Sequence, residues 1–406
     1  MAPTIDLVFS GGGTRGVALA GAIDVLERKK PVIKRLLGTS AGAIAAVFGA
    51  AGFTGQDYLK LVPEKEGDPF LFNAFFAAPP GEKVRDAARL KDSETRKWLR
   101  AGVDGALEKL MQNFTERRPR IGQMLQGILG PNKQTIYENA FEGFLARASA
   151  HDNPDKPKLR TAIFAVLEFG GLFDPDLFRE WLPVQMRPRL PRFDARTTLK
   201  QFHAATRDVG RELSVVVTDT TDCRPLVLNH RTAPDCPVVE AVLMSLSVPL
   251  VWPETAWRKE WGMYLAQDIE GHFMVDGGVL ADFPIHFMLH RDREDLRHIF
   301  GTPEKEAPAI IGLMLDGSLA VPGDVKLVPE KPEFALFDRI NRVLGAMGAW
   351  QADLYRGAED LICRIGTKGH PALELQRTPE VIMRLQTLVN SGRCAMTDHL
   401  KKRKLF

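Results

Sequence analysis

Gly38-Thr39-Ser40-Ala41-Gly42 sets a serine among small residues, between the apolar run Pro31 to Leu37 and a second run, Ala43 to Ala51. The first run reads as a strand and the second as a helix. At such a strand-to-helix turn the backbone is crowded, so small neighbours are required, and the serine hydroxyl projects at the carboxyl edge of a sheet. The helix start aims backbone N–H groups and a positive dipole end at whatever Ser40 attacks. The chemistry on offer is nucleophilic attack on a carbonyl; the competing reading of the pentapeptide is a tight structural turn.

A second element lies upstream. Ile5 to Phe9 reads as a buried strand, and Ser10-Gly11-Gly12-Gly13-Thr14-Arg15-Gly16 follows it before an amphipathic stretch, Val17 to Arg28. Gly11-x-Gly13-x-x-Gly16 has the form of a dinucleotide fingerprint, but the second strand ends in Leu36-Leu37 and not in a ribose-binding acid. No Gly-Lys-Ser/Thr closes the loop as a phosphate-binding loop would require. What is left is a loop of backbone N–H groups able to approach an anionic oxygen, with Gly12 and Gly13 as oxyanion donors. Arg15 is either an anchor of this loop or an ordinary surface arginine.

A serine nucleophile needs a base. The nine histidines lie outside any typical triad pattern, whereas Phe273-Met274-Val275-Asp276-Gly277-Gly278 ends a short apolar run in an acid and two glycines. Asp276 at that strand end could take the Ser40 proton directly, with Gly277 and Gly278 leaving room beside it. The competing reading is an Asp-Gly turn. His272 lies four residues earlier; on a strand that spacing would put it on the same face as Asp276 but too far along for a direct hydrogen bond, so it reads as a surface or loop histidine.

The Gly-rich loop (Gly11 to Gly16), the serine elbow (Gly38 to Gly42) and Asp276-Gly277-Gly278, in that order, resemble the patatin-like phospholipase family. Gly170 to Asp174, Arg211 to Asp219 and Ser245 to Pro249 resemble further blocks of that family, so the likeness covers roughly residues 4 to 290. It implies an acyl hydrolase with Ser40 as nucleophile, Asp276 as base, and Gly11, Gly12 and Gly13 with the Ala41 N–H as oxyanion hole. Gly16, Gly38, Gly42, Gly277, Gly278 and Arg15 would support them. It further implies glycerophospholipid or other acyl-lipid substrates, no cofactor and no metal. One departure stands out: the family's Asn-x-Pro appears here as Asp282-Phe283-Pro284, and an ionised Asp cannot donate hydrogen bonds as an amide does. Acyl transfer with the same dyad, a non-catalytic lipid-binding module and nucleotide binding by the Gly loop stay open at this point.

Alternating strand and helix signals in the first 55 residues indicate an α/β fold with a parallel sheet. The resemblance makes this a three-layer α/β/α sandwich with a mainly parallel central sheet. Helical pattern between about residues 56 and 158 reads as an insertion in a domain of residues 1–321, whose core strands return near Leu213 to Val217 and Ala309 to Leu315; residues 322–406 read as a helical extension packed on that core, with helices over Phe334 to Arg356 and Pro379 to Leu388. The insertion carries Pro69 to Phe76, with four phenylalanines that suit either a lipid-facing wall or a satellite core. Trp252, Trp257 and Trp261 read as core packing.

The formal charge of +3 gives no footprint for nucleic acid. The basic end, Lys401 to Lys404, reads as a solvated tail, with contact to anionic lipid as the alternative. No basic n-region opens the chain, no apolar run reaches the roughly 20 residues of a membrane span, and the four cysteines are scattered. The expectation is a cytoplasmic enzyme with reduced thiols that meets membranes peripherally.

Overall fold

In a computed structural model, the apolar runs of the chain become the strands of one eight-stranded sheet. The structure describes residues 3–63, 79–88, 93–117, 132–148, 159–302, 306–323, 342–343, 346, 351, 355–373 and 378–403. The strands are β1 (Thr4–Phe9), β2 (Val32–Thr39), β3 (Glu212–Asp219), β4 (Arg224–Leu228), β5 (Thr255–Ala256), β6 (Phe273–Asp276), β7 (Ala309–Asp316) and β8 (Ile362–Gly366). Their order is β5-β6-β3-β2-β1-β7-β8, with β4 also paired to β3. From β3 to β8 through β1 every pair is parallel; β4, β5 and β6 join antiparallel.

Both faces of the sheet are covered, as the continuous apolar character of its parallel strands requires. Val8, Leu37 and Val216 share a core with Ala281, Phe283, Ile285, Met288, Ile299 and Phe300. Leu36, which alternation turns to the opposite face, lies against Gly49 of helix α2 (Ala41–Ala50). Helix α1 (Val17–Glu27) connects β1 to β2. The result is the expected three-layer α/β sandwich with a mainly parallel sheet.

The register along β3 decides where the chemistry falls. One edge of β3 is taken by β4, from Val215 to Asp219. The other edge must then hold both β2, which pairs as far as Thr39↔Val216, and β6, which begins with Asp276↔Val217. Where β2 turns away, β6 takes its place, so Thr39 and Asp276 occupy successive positions along one strand. Helix α3 (Val238–Leu246) and the four-residue helix α4 (Gly278–Ala281) flank this junction in sequence.

Beyond residue 322 the chain is not wholly helical: Ile362–Gly366 adds the edge strand β8, parallel to β7. The last helix, α5 (Pro379–Arg403), runs past the expected end at Leu388 and packs along α1. The two backbones approach closely at two glycines: a Cβ on Gly392 would land on the Ala18 carbonyl, and one on Gly21 on the Val389 carbonyl. Arg403 is no solvated tail residue, since its guanidinium donates to the Ile310 carbonyl at 2.7 Å. The expected helix over 334–356 falls almost entirely outside the described residues, as do the phenylalanine cluster at 69–76 and residues 404–406. Trp252, Trp257 and Trp261 are buried, and the Trp257 indole donates to the Gly262 carbonyl at 2.8 Å.

The chain divides into two compact units, the second made of Phe76–Asp174 with Leu250–Pro253. Within the second unit, Val84, Phe141, Ala148 and Phe164 form a separate small core. Its helix Glu94–Arg117 is capped by a carboxylate from another helix: Glu168 accepts from the Thr95 N–H at 2.7 Å and the Glu94 N–H at 3.2 Å. Leu172 and Phe173 donate to the Leu250 and Val251 carbonyls at 3.1 and 3.0 Å.

Gly392→Ala puts a methyl where the helices touch, and the overpacking should destabilise the protein by about 2 kcal/mol. The expected result in calorimetry is a fall in Tm of several degrees. An unchanged Tm would mean that α1 and α5 cross more loosely than described.

Candidate active site

Ser40 joins β2 to α2 with φ 53° and ψ −122°, a conformation that costs an L-residue roughly 1–3 kcal/mol and persists only when the surroundings enforce it. Three contacts do so. The Ser40 N–H donates to Ser245 Oγ at 2.9 Å, and that hydroxyl donates onward to the Val216 carbonyl at 2.6 Å. The Ser40 carbonyl accepts from the Ala43 N–H at 2.8 Å, opening α2. Gly38 and Gly42 are needed for space. A Cβ on Gly42 would sit 2.6 Å from the Phe9 carbonyl oxygen, and one on Gly38 would run into the Gly42 carbonyl.

Asp276 ends β6 and is buried. Its N–H donates to the Ser247 carbonyl at 2.8 Å, and its Oδ1 accepts from the Gly278 N–H at 2.6 Å. Oδ2 has no well-formed hydrogen bond among the described residues. Burial pushes the carboxyl up to about 7; the neighbouring Ser40 hydroxyl and the Gly278 N–H pull it down, and the Asp282 carboxylate pushes it further up. The structure thus brings Ser40 and Asp276 together, with burial raising the acid's pKa. Gly277 is packed so that a Cβ would strike the Val216 carbonyl.

The Gly loop divides by function. Gly11 does not fit the expected oxyanion role, because its N–H already donates to the Asp282 carbonyl at 2.8 Å. The N–H groups of Gly12, Gly13 and Ala41 have no acceptor among the described residues. Gly13 to Gly16 form a turn of 3₁₀ helix, pinned where the Thr14 N–H donates to the Ala372 carbonyl at 2.8 Å. Arg15 is the anchor: its Nε donates to the Gly12 carbonyl at 3.2 Å, and its charge faces Asp282 and Asp316. Gly16 lets the loop rest on Ala41, where a Cβ would come within 2.6 Å of the Ala41 Cβ.

A sequence profile described as Patatin-like phospholipase matches residues 7–289, more than half of the chain. The chain belongs to the patatin-like phospholipase family. Two relatives match shorter stretches. The uncharacterized protein YqhO of Bacillus subtilis strain 168 is 49% identical over 75 residues, 18% of this chain and 26% of YqhO. The probable lipid hydrolase 463L of invertebrate iridescent virus 6 is 26% identical over 116 residues, 29% of this chain and 34% of 463L. The matched stretches therefore span about a quarter to a third of these relatives. Among solved structures, VipD from Legionella pneumophila aligns with a TM-score of 0.45 and 14% identity, over 99% of this chain and 67% of VipD. The type III effector ExoU, from Pseudomonas aeruginosa, aligns with a TM-score of 0.39 and 16% identity, over 100% of this chain and 54% of ExoU.

In this patatin-like chain, no histidine among the described residues is hydrogen-bonded to Asp276. His272 Nδ1 lies 2.9 Å from Asp219 Oδ2. Asp219, Asp222 and His272 converge within 4.8 Å of one another, and Arg224 lies 3.7 Å from Asp219 and 3.2 Å from Asp222, so the acids are already ion-paired. Sequence reasoning missed the role of Ser245 behind the elbow and that of Gln351, whose amide meets the loop after Asp276. Ser245 had a faint signal in its family-like block; Gln351 had none.

The raised Asp276 pKa has a consequence for stability. Burial raises the native carboxyl to about 7 from the ordinary 3.8 of an Asp, so the folded state holds the proton more tightly. That stabilisation is complete below about pH 4 and is lost as pH rises through 7. Asp276→Asn should therefore raise Tm relative to wild type at pH 8, with the gap closing at pH 4. A constant difference at both pH values, in a thermal-melt series, would contradict the assigned burial of charge.

Proposed function

We propose that the chain is a lipid acyl hydrolase of phospholipase A type, working through a Ser40–Asp276 dyad and an acyl-enzyme. The observation that carries this reading is a buried carboxyl, Asp276, beside a serine hydroxyl on a strained elbow. Ser40 Oγ attacks the ester carbonyl and gives its proton to Asp276 Oδ2. The developing oxyanion is met by the N–H groups of Gly12, Gly13 and Ala41, with the N-terminal dipole of α2 behind them. Collapse breaks the ester bond, and Asp276 returns the proton to the leaving alcohol, the lysolipid. Water then attacks the acyl-enzyme, Asp276 accepts and passes on its proton, and the fatty acid leaves. The oxyanion hole in this reading omits Gly11, whose N–H is engaged.

Membrane phospholipids are the substrates this reading favours, supported by the family's description and by the probable lipid hydrolase 463L. No helix among the described residues is long and apolar enough to cross a membrane. Peripheral docking from the cytoplasm is part of the same proposal.

Mixed phospholipid vesicles in EDTA test it. Wild type should release fatty acid, and Ser40→Ala and Asp276→Asn should lower the rate by at least ~10³-fold. Retention of activity by both variants would remove the dyad from the mechanism.

The pH profile is a separate check. A base that must be ionised gives a kcat that rises with pH through about 7, following the Asp276 carboxyl. A flat profile from pH 5 to 8 would assign the base to another group.

A further inference from the structure

Gln351 lies beyond the stretch matched by the family profile, yet its side chain is buried against the turn that follows Asp276. Its Oε1 accepts from the Asp282 N–H at 2.6 Å. Its Nε2 donates to the Gly278 carbonyl at 3.2 Å and faces the Val279 carbonyl at 3.4 Å. In a continuing α-helix the Asp282 N–H would donate to the Gly278 carbonyl, four residues earlier. The Gln351 amide stands between those two groups and satisfies both. A side-chain amide offers a donor and an acceptor on one rigid plane, which an ionised carboxylate, an acceptor alone, does not.

Both ends of the clamped turn bear on the reaction. At one end, the Gly278 N–H holds Asp276 Oδ1 at 2.6 Å, which leaves Oδ2 for the serine proton. At the other end, the Asp282 carbonyl takes the Gly11 N–H at 2.8 Å and so sets the start of the oxyanion loop. We infer that Gln351 is a positioning residue for hydrolysis: through the 278–282 turn it sets the base and the oxyanion loop relative to Ser40. This inference rests on the Ser40–Asp276 reading. It assigns a part in the reaction to a residue far along the chain from the three catalytic motifs.

The test uses the full chain with p-nitrophenyl butyrate as substrate and a fluorophosphonate probe that labels a reactive serine. Gln351→Met keeps the volume and removes all three polar contacts; Gln351→Glu keeps the acceptor for the Asp282 N–H and loses the donor. Both should keep the wild-type circular dichroism and Tm to within a few degrees. kcat and the Ser40 labelling rate should fall about 10–100-fold with KM nearly unchanged, as for other supporting contacts behind an active group. The acid limb of kcat should move to higher pH, because Asp276 loses part of the hydrogen bonding that favours its charged form. Wild-type kcat and an unmoved limb in both variants would overturn the inference. So would a kcat loss that only tracks the folded fraction with the limb in place. Ser40→Ala separates the two levels: if it stays active, or wild type itself neither turns over nor labels, the dyad reading falls and this one with it. If Ser40→Ala is silent while the Gln351 variants behave as wild type, only the Gln351 assignment falls.

Discussion

Ser40 is held at a positive φ that its own side chain disfavours, and the rest of the site is arranged around that constraint. The strain is tolerable because β2 is locked between β1 and β3, and because Ser245 receives the N–H that the turn would otherwise leave unpaired. Gly38 and Gly42 remove the atoms that would collide inside the turn. The same turn frees the next N–H, that of Ala41, and points the N-terminus of α2 at Ser40. Backbone strain, an unengaged N–H and a helix dipole are therefore one structural event.

Electrostatics around the site follow from the same crowding. Burial raises the carboxyls of both Asp276 and Asp282, and Asp276 is raised further by the neighbouring Asp282. Arg15 is the cation that faces Asp282 and Asp316, and it is held there by the Gly12 carbonyl. Where the family pattern has an amide, Asp282 places a buried carboxyl that Arg15 faces, while an amide from Gln351 binds the backbone at the same residue. Asp276 is left with no direct cation partner among these groups, which keeps its affinity for a proton near neutrality.

Much of this was legible in the sequence, for physical reasons. Buried parallel strands must be nearly continuous apolar runs, so β1, β2, β3 and β7 declare themselves; the elbow and the Asp-Gly-Gly turn are local steric requirements written in small residues. What depends on distant pairing was not legible. β8 is five residues long and interrupted by Arg364, which the structure explains only through its partner Asp316. The loss of Gly11 as a donor depends on the Asp282 carbonyl, and Gln351 is a single polar residue whose meaning comes entirely from where the fold carries it. His272 needed Asp219 from another strand before its place was clear.

Thr14 meets Ala372 across 358 residues, and α1 rests on a helix that begins at Pro379. Contacts of such sequence separation must close a long loop before they contribute, which raises contact order and slows folding. The Gly loop and the serine elbow leave the ribosome early, but the contacts that pin the loop and cover α1 cannot exist until residue 392 has been made. Synthesis order thus delays assembly of this region, and a nascent chain carries Ser40 in an unfinished setting until translation has passed the last helix.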